Sequence, residues 1–276
     1  MKKSKKKIVF IGGLSNGKNV VSFIISKKNI CIDLIFTHKK RNIPRYQCLN
    51  QFNKITKVIK TENINNYYSI IKKVKPDLIL VAGWSGIINK KILEIPKYGV
   101  IGFHPSNLPK DRGRSVLAWQ IEEGYKETAL SMFFLTNKAD AGDLIGKHKI
   151  VIKKNDYIND ILDKIDSASI RLLEQYFDKL FSKKLKRKKQ NLNNATYRKI
   201  RGYRNQLINW NKKGDDILNK IRAISKPYPG AIGVIKNKKY RIWEAKIFDM
   251  KKNKKNTLIK RCKDCSIEIL NYEIIR

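Results

Sequence analysis

The chain has 276 residues, 42% of them hydrophobic, and a formal net charge of +38 from 61 Lys+Arg against 23 Asp+Glu. That apolar content supports a large domain plus a small one and excludes an intrinsically disordered chain. No run approaches the roughly 20 apolar residues that cross a bilayer, so no membrane insertion is expected. A basic excess attracts polyanions. Here Lys, Asn and Ile are all heavily used, and the positives are dispersed apart from runs at Lys2–Lys7, Lys183–Lys189 and Lys251–Lys255. The charge therefore reads as compositional drift before it reads as a nucleic-acid surface.

The chain opens with a basic head and an apolar run, as a signal peptide does. That run ends at Gly12-Gly13 and is followed by Asn16, Gly17 and Lys18, with no small-residue cleavage pattern. A first strand over Lys7–Ile11 is the better reading, and a cytoplasmic location is expected. Val20, Val21, Phe23, Ile24 and Ile25 have helical spacing, and Ile30–Phe36 is strand-like. Tyr67–Val74 reads as a helix stopped by Pro76, and Asp77–Ala82 as a buried strand. A short helix over Ile87–Ile95 ends at Pro96, then come a strand over Tyr98–Phe103 and a helix over Val116–Ile121. Thr128–Leu135 and Leu144–Ile152 complete the strands. This alternation predicts an α/β domain, Rossmann-like, with a mostly parallel sheet and flanking helices.

A long helix follows, with Ile158, Ile161, Leu162, Ile165, Leu172, Tyr176 and Leu180 on one face. The run KKLKRKK then repels itself and reads as a linker. Three parts are expected: 1–182, a basic linker 183–195, and 196–276. In the last part Asp215–Ser225 is a helix and Pro227-Tyr228-Pro229-Gly230 forces a turn. Ala231–Ile235, Tyr240–Phe248 and Ser266–Ile275 look like strands of a small C-terminal β-barrel, OB-like. Of the four cysteines, Cys31 reads as a core residue. Cys262 and Cys265 form a lone CxxC without a second pair, which reads as a turn between strands rather than a zinc site.

The stretch from Gly102 to Asp143 carries the chemistry. His104 follows an apolar strand at the end where open α/β sheets form their ligand crevice. Pro105 and Pro109 keep the next residues in a rigid loop. Arg112-Gly113-Arg114 offers two guanidinium groups suited to a phosphate or carboxylate. Asp140 and Asp143 flank Ala141 and Gly142, whose small side chains let a planar ligand approach the backbone. A histidine with an aspartate suits proton transfer near neutral pH, although either alone is equally a strand-end or loop residue.

HPSNLPKDRGR, then Trp119, Gly124 and Thr128, then ADAGD resembles the folate-dependent formyltransferase family, with His104 and Asp140 thirty-six positions apart. The resemblance extends to Val81–Ser85, to Ile95-Pro96, and to Asn209-Trp210, Ile221-Arg222-Ala223 and PYPGA, so it covers nearly the whole chain. It implies an enzyme that moves a formyl group from 10-formyltetrahydrofolate to an amine without a metal. His104 would move protons and Asp140 would orient it. Gly83, Trp84, Ser85, Gly86 and Ile87, with Ala141, Gly142 and Asp143, would meet the folate. Arg112, Gly113 and Arg114 would meet the acceptor. One position departs: the family carries an asparagine two residues before the histidine, where this chain has Gly102. That asparagine donates to the oxyanion, and losing such a donor costs roughly two to three orders of magnitude in rate.

The resemblance leaves the acceptor open. The segment Thr37–Gln51 is short and lacks glycine, unlike the basic loop of the tRNA enzymes, and the C-terminal part is smaller than theirs. A small-molecule nucleotide-sugar acceptor, an amino-deoxysugar on UDP or dTDP, is therefore expected ahead of methionyl-tRNA. A non-catalytic folate- or nucleotide-binding relative stays open because of Gly102, as does a homodimer.

Overall fold

The computed structural model describes residues 5–39, 43–182, 184–248 and 257–275. The lysines at 2 and 3, the first residue of the 183–189 run and the whole 251–255 run lie outside the described residues. The elements run β1 (Lys6–Gly12), α1 (Leu14–Ile25), β2 (Ile30–His38), β3 (Lys57–Thr61), α2 (Tyr68–Val74), β4 (Leu78–Ala82), α3 (Lys90–Leu93) and β5 (Val100–His104). They continue with β6 (Arg112–Gly113), α4 (Val116–Glu122), β7 (Glu127–Phe134), β8 (Leu144–Val151), α5 (Ile158–Tyr176) and β9 (Tyr197–Arg198). Last come α6 (Gly214–Ala223), β10 (Ala231–Ile235), β11 (Lys238–Ile247), β12 (Leu258–Arg261) and β13 (Ser266–Ile275).

Seven strands form one sheet in the order β3-β2-β1-β4-β5-β7-β8. The pairs from β3 to β5 are parallel, and β7 runs antiparallel to β5. β1 and β4 are continuous apolar runs because both faces of a central parallel strand are covered. Ile8–Ile11 and Leu78–Leu80 are fully buried. Strand order reverses between β1 and β4, which opens a crevice at their carboxyl ends. β5 ends on the same side, at His104. The Rossmann-like expectation is borne out. β3 was not read from the sequence, since KVIKT has only two large apolar residues.

By compactness the chain divides into two units, each built from separate stretches: 1–112, 129–150 and 164–197 in the first, and 113–128, 151–163 and 198–276 in the second. In the second unit β10, β11, β13 and β12 form an antiparallel sheet in that order, a half-barrel where the sequence led to a small barrel. α6 lies within one residue of the expected helix start and buries Ile217 and Ile221. Glu122 on α4 accepts from Lys220 at 2.6 Å and pairs with Arg201.

Two expectations change. Cys31 is exposed, because β2 alternates at its start and turns Cys31 outward while Ile32 and Leu34 go in. The basic run is not a free tether either. Lys188 exchanges two backbone hydrogen bonds with Leu144 at the edge of β8, and the Arg187 guanidinium lies 3.8 Å over the Phe134 ring. No helix among the described residues is long and apolar enough to cross a membrane.

These placements separate two substitutions. Ile79→Ala, on central β4, is expected to lower unfolding free energy by about 2–5 kcal/mol. Cys31→Ser is expected to change it by less than about 0.5 kcal/mol. Urea titration of both variants checks this. A large loss at Cys31 would place it back in the core.

Candidate active site

His104 closes β5 and is 6% exposed. The loop after it is fastened at each step. Ser106 N–H donates to the His104 carbonyl at 2.9 Å, and Ser131 Oγ to the Ser106 carbonyl at 2.6 Å. Ser106 Oγ donates to the Lys110 carbonyl at 2.7 Å, and Asp111 N–H to Thr196 Oγ1 at 2.8 Å. Asp111 adopts a left-handed conformation, φ 54°. Its carbonyl lies 2.8 Å from His104 Nε2. A carbonyl only accepts, so Nε2 carries a proton, and Nδ1 is the other ring nitrogen. Nδ1 faces Asp140 Oδ1 at 3.5 Å, and the Asp140 carboxylate is 21% exposed. The structure therefore brings together the two side chains expected at the centre. It also assigns each imidazole nitrogen a different neighbour.

Asp140 sits at φ 51° in a loop pressed against β7. Gly142 makes that approach feasible, since a Cβ there would lie 1.7 Å from the Phe134 carbonyl oxygen. Asp143 accepts the Phe134 N–H at 2.9 Å. The residue that holds this loop is Gln190, which sequence reasoning passed over as part of a linker. Its Nε2 donates to the carbonyls of Asp140 at 2.9 Å and Gly142 at 2.7 Å. Its Oε1 accepts from Arg112 Nη2 at 2.7 Å. Its one legible signal was being the first uncharged residue after the basic run.

Arg112 corrects an expectation. Its side chain is 1% exposed, bonded to Gln190 and to the Tyr197 hydroxyl at 3.0 Å, with the guanidinium 5.7 Å over the Tyr197 ring. The guanidinium braces the Asp140 loop through Gln190 and is not presented to a ligand. Gly113 and Arg114 belong to the second unit. There Gly113 has φ 100° against the Arg198 backbone, Arg114 N–H donates to the Arg198 carbonyl at 3.1 Å, and the Arg114 side chain is exposed.

At the end of β4, Gly83 is left-handed at φ 66° and its carbonyl lies 2.8 Å from His38 Nε2. Trp84 stacks on His38, centroids 4.5 Å apart and 16° from parallel. Its Nε1 is buried without a protein partner. Ser85, Gly86 and Ile87 are exposed, Ile87 by 75%.

Gly102 and His104 are two residues apart on one strand and so share a face. A Cβ at Gly102 would lie 2.4 Å from Leu135 Cδ1. Leu135 thus fills the space where a side chain at 102 would start. Asn107 is engaged elsewhere: Lys147 Nζ donates to its Oδ1 at 2.7 Å and to the Leu108 carbonyl. Burial first, then Lys188, holds the Lys147 ammonium below its ordinary range.

The formyl transferase profile matches residues 6–176, and the profile of the formyl transferase C-terminal domain matches 202–273. The bifunctional polymyxin resistance protein ArnA of Wigglesworthia glossinidia brevipalpis is 34% identical over 77% of this chain and 34% of its own length. The methionyl-tRNA formyltransferase of Bacillus subtilis strain 168 is 32% identical over 69% of this chain and 58% of its own. The chain thus spans between a third and three fifths of these relatives. Among solved structures, an N-formyltransferase from Helicobacter canadensis, in complex with folinic acid and dTDP-3-aminofucose, superposes with a TM-score of 0.74. It is 19% identical, over 97% of this chain and 100% of that one.

Gln190→Ala removes one acceptor and one amide donor group from a buried network, which is expected to cost about 1–3 kcal/mol. Gln190→Glu restores the contact to Arg112 but turns a carboxylate toward two carbonyls, so it should not rescue the loop. Denaturant midpoints and amide exchange at residues 140–143 check both variants. Full rescue by glutamate would show that only the arginine contact matters.

Proposed function

Because this chain belongs to the formyl transferase family, we propose that it transfers a formyl group from 10-formyltetrahydrofolate to a primary amine, with His104 and Asp140 as its proton-handling pair. The observation that carries the reading is the 3.5 Å approach of His104 Nδ1 to Asp140 Oδ1 at the open end of β5.

The residues at hand fit the folate carrier. Trp84 Nε1 is a buried donor with no protein acceptor. Gly83, Trp84, Ser85, Gly86 and Ile87 on one loop, and Ala141, Gly142 and Asp143 on the other, would hold the carrier, which supplies an electrophilic formyl carbon. The chain's own groups divide the proton work. Nε2–H stays on the Asp111 carbonyl and fixes the ring. The separation at Nδ1 exceeds the 2.7–2.9 Å typical of charge-assisted hydrogen bonds, so Nδ1 is the nitrogen able to take the proton shed by the attacking amine and return it to N10 of the carrier as the N10–formyl bond breaks. Asp140 then faces the charged ring and stabilises it.

The favoured acceptor is the amino group of a nucleotide-linked amino-deoxysugar. The match to the Helicobacter enzyme covers 97% of this chain and 100% of that one, and the segment between β2 and β3 contains no glycine. The exposed Arg114 would be the guanidinium to meet a diphosphate. Methionyl-tRNA is the second reading, supported by the name of the Bacillus relative and by the +38 charge.

Formyl transfer from 10-formyltetrahydrofolate to a panel of UDP- and dTDP-amino sugars and to initiator tRNA tests both. His104→Ala and Asp140→Asn are each expected to lower kcat by about 10²–10⁴-fold. Folate binding without turnover on any amine would overturn the enzyme reading in favour of a binding module.

Leu135 generates a second outcome. Gly102→Asn alone is expected to gain less than the double variant, because its Cβ must displace the Leu135 Cδ1 methyl. Combined with Leu135→Ala it should raise kcat by about tenfold or more by restoring an oxyanion donor. A single Gly102→Asn variant as active as the double one would refute the coupling.

A further inference from the structure

The hairpin joining β12 to β13 turns through Cys262-Lys263-Asp264-Cys265, a motif with no part in formyl transfer. Arg261 pairs with Ser266 across the strands, and the Cys262 N–H closes the turn on the Cys265 carbonyl at 2.8 Å. The turn is tied down from outside as well. Lys263 N–H donates to the Lys212 carbonyl at 3.1 Å, and the Gly214 N–H, at the start of α6, donates to Asp264 Oδ1 at 2.8 Å. Both thiols point the same way, with their sulfurs 3.3 Å apart, and Cys262 Sγ lies 3.6 Å from Asp264 Oδ1. All three donor atoms fall within 4.8 Å of one another. Gly214 makes the arrangement possible, because a Cβ there would lie 2.3 Å from Cys265 Sγ.

We propose that Cys262, Asp264 and Cys265 bind a thiophilic divalent cation, zinc by donor type, with its fourth position taken by water. Two thiolates and a carboxylate are a zinc ligand set, and three protein ligands leave a tetrahedral ion one open position. The sulfur spacing favours metal over disulfide. Two sulfurs on one tetrahedral zinc at about 2.3 Å stand about 3.8 Å apart, a small opening of the present pair. A disulfide needs about 2.05 Å, a closure of more than one ångström. Three anionic ligands on a dication leave one negative charge, and Lys212, Lys213, Arg261 and Lys263 flank the site in sequence to meet it.

The test is titration of the reduced, chelator-treated full chain with Co2+ and then Zn2+. One equivalent of Co2+ should produce a sulfur-to-cobalt charge-transfer band that Zn2+ abolishes. The band should persist in Cys31→Ser/Cys48→Ser, vanish in Cys262→Ser and in Cys265→Ser, and need about tenfold more metal in Asp264→Asn. Zn2+ should raise Tm in the native chain and not in Cys265→Ser, whose Tm without metal serves as the control for folding. No band at stoichiometric Co2+ overturns the proposal. So does a band that survives Cys265→Ser, or recovery of Cys262 and Cys265 as a disulfide with no metal uptake.

Discussion

The hydrogen bond between His104 Nε2 and the Asp111 carbonyl decides what the rest of the site can do. A ring nitrogen bonded to a main-chain carbonyl carries a proton, which leaves the lone pair of the neutral ring on Nδ1. A side-chain partner could rotate or titrate; a carbonyl fixed at both ends of its residue does neither. Asp111 can serve because Thr196 holds its N–H and the loop before it is closed by Ser106 and Ser131. These are short side chains that bond backbone at little entropic cost. The ring is thus placed by backbone geometry, and the Asp140 carboxylate stands on its other side.

Asp140 needs an equally firm support, and its loop cannot supply one from within. The loop has few apolar side chains, and Gly142 is there to admit a carbonyl rather than to pack. Support comes from Gln190, whose amide reaches two loop carbonyls while its oxygen takes a buried guanidinium. A buried arginine beside a neutral amide is an expensive arrangement unless its donors are met. Tyr197 meets a further one through its hydroxyl and covers the guanidinium with its ring. The residues from Lys184 to Tyr197 therefore act as a strap, held to β8 by Lys188.

The parallel sheet was legible because continuous apolar runs such as IVFI and LILV have few alternatives, and the His104–Asp140 pair was legible through ordered motifs around it. What could not be read was contact set by tertiary geometry. RGR looks like an anion-binding pair, yet Arg112 lies on a two-residue strand that turns it inward while Arg114 stays outside. KKLKRKKQ reads as a repelled coil because charge dominates its composition, yet its backbone hydrogen bonds and the arginine's ring contact do not depend on side-chain polarity. Cys31 was misjudged for the opposite reason: an apolar run hid the alternation at its first residues.

Gly102 shows how loss of a polar group can be absorbed without a hole. Deleting a side chain from a packed wall leaves a cavity that destabilises in proportion to its volume. Here Leu135 occupies that volume while also packing with Leu108, Phe133 and Leu144. The exchange removes a hydrogen-bond donor from the wall beside His104 and replaces it with hydrocarbon. A drier wall cannot bond a developing oxyanion, but it lowers the local dielectric, and that strengthens the attraction between a protonated imidazole and Asp140.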